Sequence, residues 1–242
     1  MNVLETTGII KRFGSVTAVD DVSISVEAGE RVALLGPNGS GKTTFFNAIS
    51  GVFPANHGQV KFLGRDVSGW STNRLAKAGM VRTFQHASVF PGLTVEESIV
   101  VSLEMTPRKT NGDGFYTVDT ILEICGLQAQ RNTLGSDLAY GSARRLNVAV
   151  AMAAHPKLLM LDEPAAGLNN WETEELRVAL TELNARGIAL LVIDHDMPFI
   201  SGLCQRAVVL AAGSVLAQGT LDEIRADHEV RRVYLGGSLA TA

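Results

Sequence analysis

The sequence of 242 residues predicts an α/β fold, with a parallel-sheet core, an antiparallel β layer near its start and a helical insert in its middle. Three observations carry that prediction. Apolar runs at Arg31-Val32-Ala33-Leu34-Leu35, Leu158-Leu159-Met160-Leu161, Ala189-Leu190-Leu191-Val192-Ile193 and Ala207-Val208-Val209-Leu210 read as wholly buried strands, the signature of a sheet covered on both faces. A helical pattern from Trp171 to Asn184 lies between two of them, and strand–helix–strand order implies a right-handed crossover and parallel pairing. A glycine-rich loop joins the first apolar run to a helix.

The elements follow in order. The first thirty residues carry short β-like runs, Gly8-Ile9-Ile10 and Val22-Ser23-Ile24-Ser25-Val26, separated by turn residues at Phe13-Gly14-Ser15 and Glu27-Ala28-Gly29. A hairpin-like pair at Gln59 to Leu63 extends this into an antiparallel layer. Thr44 to Ser50 reads as a helix after the glycine-rich loop. From about Pro91 to Pro156 the spacing becomes helical, at Val95 to Leu103, Val118 to Cys125 and Arg144 to Ala154, with a polar loop at Pro107 to Gly114. After the last apolar strand, Gly213 to Gln218 predicts a β return, and one C-terminal helical segment is expected from Leu221 to about Tyr234. The expected division is one domain over 1–242: 1–86 and 157–242 form the α/β core with its β layer, and 87–156 the helical subdomain.

Residues Gly36-Pro37-Asn38-Gly39-Ser40-Gly41-Lys42-Thr43-Thr44 match the phosphate-loop pattern GxxxxGK[ST]. Three glycines let the backbone curl so that successive N–H groups point at a polyphosphate. Lys42 is expected to reach the β and γ phosphates, the Thr43 hydroxyl to help hold Mg²⁺, and the helix N-terminus to add its positive end. The strand before the loop and the helix after it supply the context the motif requires. A second chemical cluster closes the run Leu158 to Leu161: Asp162-Glu163-Pro164, at the carboxyl end of a strand, where α/β sheets place ligands. Asp162 suits the outer shell of Mg²⁺ in a phosphate-loop ATPase. Glu163, pointing differently, is suited to orient or deprotonate an attacking water.

The bulk numbers exclude several classes. Lys and Arg total 21 against 25 Asp and Glu, a net charge of −4, which gives no broad attraction to nucleic acid or anionic lipid. No stretch reaches the ~18 uncharged apolar residues of a membrane span. Met1 to Lys11 lacks the pattern of a signal peptide, so the chain is expected in the cytoplasm. Cys125 and Cys204 form no CxxC pair and are expected to be reduced, buried or half-buried thiols.

With these residues in place the chain resembles, over essentially its whole length, the nucleotide-binding subunit of an ATP-binding cassette (ABC) transporter, a phosphate-loop NTPase with a RecA-like core. Further motifs of that family occur in order. Phe13 matches the aromatic residue that stacks on adenine. Gln85, in Thr83-Phe84-Gln85, matches the glutamine that senses the γ-phosphate and metal while contacting the membrane partner. Leu138-Ala139-Tyr140-Gly141-Ser142 stands where the signature LSGGQ belongs. Ala166-Gly167-Leu168-Asn169 follows the acidic pair, and His195, between Asp194 and Asp196, matches the switch histidine. The other histidines, His57, His86, His155 and His228, form no metal-ligand pattern with it.

Ala139 removes the signature serine's hydroxyl, a loss of about 1.5–3 kcal/mol for a charge-assisted hydrogen bond. Ser142 replaces the usual glutamine, and Asn169 stands where many members carry aspartate. The Leu-Ala-Tyr-Gly and Ala-Gly-Leu-Asn versions, and the tail from Gln218-Gly219-Thr220 to Val233-Tyr234-Leu235-Gly236, resemble the branch serving branched-chain amino acid import. The resemblance implies ATP and Mg²⁺ as cofactors and a head-to-tail dimer with a second nucleotide-binding subunit, identical or paralogous. In it Ala139, Tyr140, Gly141 and Ser142 complete the partner's site. It also implies integral membrane permease subunits gripped by His86 to Leu93, where Val89 and Phe90 suit docking. A periplasmic or extracellular solute-binding protein and a place on the inner face of the cell membrane complete the picture. An exporter of lipid or lipopolysaccharide uses the same subunit type. A soluble cassette ATPase acting on DNA or ribosomes usually carries tandem cassettes or a long coiled coil, neither present here; a small-molecule kinase explains neither Gly141 nor His195.

Overall fold

The computed structural model describes residues 1–83, 90–105 and 116–239. Its centre is a six-stranded sheet in the order β11-β10-β4-β9-β8-β7, formed by β4 (Arg31–Leu35), β7 (Met80–Arg82), β8 (Leu158–Asp162), β9 (Ala189–Ile193), β10 (Arg206–Ala211) and β11 (Ser214–Thr220). All pairings are parallel except β10 with β11. The apolar runs alternate as a doubly covered sheet demands. Ala33, Leu35, Leu159, Leu161, Leu190, Val192, Ala207 and Val209 enter one core, and Val32, Leu34, Leu158, Met160, Ala189, Leu191, Val208 and Leu210 the other.

The second core is closed by an antiparallel sheet and by α1 (Lys42–Ile49), whose Phe45, Phe46 and Ile49 are buried there. The long strand β1 (Asn2–Phe13) pairs with β2 (Val16–Val22), β3 (Ser25–Glu27) and β5 (His57–Phe62), and β5 pairs with β6 (Arg65–Asp66). The run Val22 to Val26, expected as one strand, is therefore two. The Thr6 hydroxyl accepts from Ile24 N at 2.9 Å and donates to Ile24 O at 3.3 Å, and Ser23 Oγ accepts from Gly8 N at 2.9 Å. These side-chain bonds replace ladder bonds and let the chain cross from one part of β1 to another. The pair expected within Gln59 to Leu63 is a single strand there, with its hairpin partner at β6.

The first core is closed by helices. From the insert come α3 (Val95–Met105), α4 (Val118–Ile124) and α5 (Tyr140–Ala153); α6 (Asn170–Ala185) and α7 (Met197–Leu203) complete the layer. Val95, Ile99, Ile121, Leu122, Leu146 and Met152 share one apolar cluster with Leu161, Leu176 and Leu180, so among the described residues the insert joins the sheet's core. Beyond the reading from sequence, α2 (Thr72–Ala78) leads into β7. The C-terminal segment, expected as one helix, is two: α8 (Leu221–Ala226), started by a capping box of Thr220 and Glu223, and α9 (His228–Leu239). Asp227 breaks them apart, with ψ 126°, and its Oδ1 accepts from Val230 N at 3.0 Å to start the second.

Cys125 and Cys204 are free and buried, and burial pushes each thiol up to about 12. Neither thiol should react with Ellman's reagent in the native protein at about pH 8, and both should react once urea unfolds it. Fast native labelling at either position would contradict this packing.

Candidate active site

The carboxyl ends of β4, β9 and β8 lie side by side, and each delivers chemistry. From β4 the chain enters the glycine loop, where Gly36, Gly39 and Gly41 have φ of +144°, +78° and +98°. Side chains are excluded there: a Cβ on Gly36 would lie 2.2 Å from Leu210 O, and one on Gly41 2.4 Å from Ala18 O. The loop is thus wedged between β10 and β2, tied by Gly213 N donating to Ser40 O at 3.1 Å. Helix α1 follows with no side-chain cap, so its first N–H groups are donors without intrahelical partners. Ser40 Oγ is buried and makes no hydrogen bond among the described residues. Lys42, only 6% exposed, donates from Nζ to Gly36 O at 2.6 Å and Pro37 O at 2.9 Å. Burial lowers its pKa, opposed by the nearby charge of Glu163. Thr43 is exposed and Thr44 half-buried at the helix start.

Asp162 ends β8 almost fully buried. Desolvation raises its pKa, against the lowering effect of Arg82, whose NH2 donates to Asp162 Oδ2 at 2.8 Å, while the charges of Glu163 and Asp194 raise it further. Glu163 has φ +48°, the left-handed region that non-glycine residues avoid, and its N–H donates to Ile193 O at 2.8 Å. That turn separates the two carboxylates, sending Glu163 toward the next strand end, where His195 Nε2 lies 3.0 Å from Glu163 Oε1. Two of the three residues assigned to catalysis by sequence, Glu163 and His195, therefore meet.

Asp194, missed from sequence as a site residue, holds them in place. Its Oδ1 accepts from His195 N at 2.7 Å and Asp196 N at 3.0 Å, and its Oδ2 from Ala165 N at 2.9 Å. One buried carboxylate thereby fixes the turns after β8 and after β9; desolvation raises its pKa while these backbone bonds oppose the rise. Its only signal in the sequence was an acidic residue ending an apolar strand.

The 138–142 segment packs on the 166–175 region of its own chain. Tyr140 Oη donates to Ala166 O at 3.0 Å and accepts from Arg144 Nε and NH2 at 3.0 and 2.7 Å. A Cβ on Gly141 would lie 2.4 Å from Glu172 Oε1, so a side chain there would displace the Glu172 carboxylate. Asn169 caps α6 in a capping box with Glu172, accepting from Trp171 N and Glu172 N at 3.0 Å each. Ser142 is buried and accepts from Arg145, which pairs with Glu175. Ala139 provides no side-chain cap to α5. Phe13 is 51% exposed, edge-on to Phe53 at 5.6 Å between centroids, with Lys11 Nζ 5.1 and 4.7 Å from the two rings. Phe90 is exposed. Gln85, His86 and Val89 lie outside the described residues, as does the 107–114 loop.

These residues fit a nucleotide polyphosphate. The glycine positions that a Cβ would fill, the unpaired Ser40 hydroxyl and the uncapped start of α1 form an anion cradle. They also fit Mg²⁺ in a particular way. Among the described residues no group of three or more His, Cys, Asp or Glu could hold an ion alone, and Asp162 has one carboxylate oxygen already bonded to Arg82. Magnesium commonly takes one or two protein oxygens and completes its shell from phosphate and water.

Comparison with known proteins agrees with this geometry. A family model described as ABC transporter matches residues 19–166, and one described as branched-chain amino acid ATP-binding cassette transporter matches residues 214–240. The high-affinity branched-chain amino acid transport ATP-binding protein LivG of Salmonella typhimurium is 40% identical, covering 97% of this chain and 98% of its own. The lipopolysaccharide export system ATP-binding protein LptB of Haemophilus influenzae is 35% identical, covering 98% of each. The crystal structure of the ADP conformation of MJ1267, an ATP-binding cassette of an ABC transporter, superposes with a TM-score of 0.86 at 30% identity, covering 98% of this chain and 99% of that one.

Gly36→Ala tests the cradle. At a nucleotide concentration about a hundred times Kd the wild type should gain about 2.7 kcal/mol of stability. The variant should melt lower and lose most of that gain in a thermal-shift titration; an unchanged shift would show that the loop does not hold the phosphates.

Proposed function

The chain belongs to the ABC transporter family as an ATP-hydrolysing subunit, and we propose that it drives import of branched-chain or related amino acids through a separate membrane permease. The observation that carries the catalytic part is the meeting of Glu163 and His195 beside the phosphate loop, at 3.0 Å. The import reading is supported by the match of the C-terminal residues 214–240 to the branched-chain model and by the 40% identity to LivG. The 35% identity to LptB keeps lipopolysaccharide export as the second reading.

Each residue then takes a role. The Gly36-Pro37-Asn38-Gly39-Ser40-Gly41 backbone and the start of α1 bind the phosphates, and Lys42 turns from its two loop carbonyls to the β and γ oxygens. Phe13 stacks on the adenine, with Phe53 backing it. Thr43 and Gln85 would hold Mg²⁺ with Asp162 in its outer shell, and the ion would supply positive charge against the phosphates. Glu163 orients the attacking water and takes its proton. His195 holds that carboxylate in line and senses the γ-phosphate, so loss of the phosphate changes what its imidazole contacts. Asp194 keeps base and sensor at their spacing through backbone bonds to both turns.

The insert supplies the other half of a site. Ala139, Tyr140, Gly141 and Ser142 open α5, and its uncapped N-terminus offers N–H donors to the γ-phosphate held by a second subunit. ATP closes the pair head to tail, and hydrolysis reopens it. The chain works as one domain: 1–86 and 157–242 are the ATP-binding core, and 87–156 the arm presenting the signature. Among the described residues no helix is long and apolar enough to cross a membrane. Permease subunits, docked near exposed Phe90, and a solute-binding protein complete the importer, with this chain on the inner face of the membrane.

Two variants separate binding from chemistry. Glu163→Gln should bind ATP and form a longer-lived dimer while phosphate release falls about 10²–10⁴-fold; unchanged turnover would sink the assignment. Lys42→Ala should lose nucleotide affinity itself, measured by fluorescent-nucleotide titration, and tight ATP binding by it would count against the loop.

A further inference from the structure

A buried guanidinium needs an explanation, and the end of β7 holds one. Arg82 and Asp162 side chains are 8% and 4% exposed. Besides its bond to Asp162 Oδ2, Arg82 donates from NH1 to Asn47 Oδ1 at 2.5 Å and Ser50 Oγ at 2.9 Å. Its guanidinium carbon lies 4.9 Å from the Phe46 ring centroid. Phe46 and Asn47 belong to α1, and Ser50 is its C-cap. The Ser50 carbonyl is held in turn by Thr72 Oγ1 at 2.9 Å. One planar group therefore joins the far end of the helix that begins with Lys42 and Thr43 to the carboxylate that ends β8.

We propose that Arg82 is a positioning residue for hydrolysis, its guanidinium fixing the Asp162 carboxylate relative to the helix that carries Lys42 and Thr43. The inference rests on the reading of Asp162 as part of the Mg²⁺ shell. The physical argument is the fork. A carboxylate held through one oxygen by a charge-assisted hydrogen bond cannot turn freely, and the same guanidinium is itself held by two α1 oxygens and an aromatic face. A lysine ammonium offers the charge without the planar fork, so Arg82→Lys keeps an ion pair and loses the registration. A role in burial alone predicts a different outcome: charge compensation and packing are largely retained by lysine.

The experiment measures binding of a fluorescent ATP analogue by the full-length protein, in EDTA and across a Mg²⁺ titration, with ATP turnover alongside. Arg82→Lys should bind the analogue in EDTA as the wild type does. The Mg²⁺ concentration that half-saturates the metal-dependent binding should rise about tenfold or more, the cost typical of losing a partner that orients a metal ligand. Turnover should fall in kcat with KM for ATP unchanged. Wild-type Mg²⁺ dependence in Arg82→Lys would overturn the inference, as would an equal loss of binding with and without Mg²⁺. If Arg82→Lys does not purify folded, the double variant Asn47→Ala, Ser50→Ala removes both oxygens that tie the fork to the end of α1, leaves the ion pair, and should raise the Mg²⁺ requirement in the same direction; a wild-type requirement there would overturn the inference too. Asp162→Asn is the control. An unchanged Mg²⁺ dependence in that variant removes the metal reading and this inference with it, whereas a changed one beside wild-type Arg82→Lys removes this inference alone.

Discussion

Everything in this molecule depends on covering both faces of its parallel strands. A sheet buried on two sides tolerates no polar side chain along its strands, so polar chemistry is displaced to the strand ends. The buried residues of β4 and all those of β9 are apolar, and β8 is apolar up to Asp162 at its last position. The phosphate loop, Asp162-Glu163 and Asp194-His195 are what follow when those runs stop. The two covering layers also divide the labour, since the helix layer carries the 138–142 segment and the antiparallel layer carries Phe13.

Concentrating charge at the strand ends creates an electrostatic problem that is solved group by group. Desolvation raises the pKa of both Asp162 and Asp194, and it lowers that of Lys42. Asp194 is compensated by backbone N–H donors and Asp162 by Arg82, while Lys42 rests on loop carbonyls. The three solutions differ in mobility. Backbone donors are rigid and suit a residue that only holds turns together. Carbonyl acceptors on a loop leave the Lys42 ammonium free to exchange them for other oxygens.

Much of the site was legible because each part is local in sequence. Gly36 to Thr44 encodes strand, loop and helix start within one motif, and the apolar run before Asp162 announces its position at a strand end. What was not legible is long-range. Arg82 sits on β7, three residues long and without a readable period, and its partners lie 80 residues away at Asp162 and 35 away at Asn47. Tyr140 reads as one residue of a variant signature, and its bond to Ala166 crosses 26 residues. The split between β2 and β3 depends on the Thr6 hydroxyl, 18 residues from Ile24. Helix α7 was missed because seven residues beginning Met197-Pro198 give too few turns for a period, though Asp196 caps it by accepting from Phe199 N.

The left-handed backbone at Glu163 sets the placement of its carboxylate against local backbone strain. A non-glycine residue held in that region costs on the order of 1 kcal/mol or more, and glycine there would be free of it. Glycine at this position would relieve the strain, at the cost of its own extra unfolded-state entropy, and would lose the carboxylate. Relieving strained positions in this chain would, at residue 163, remove the carboxylate that meets His195.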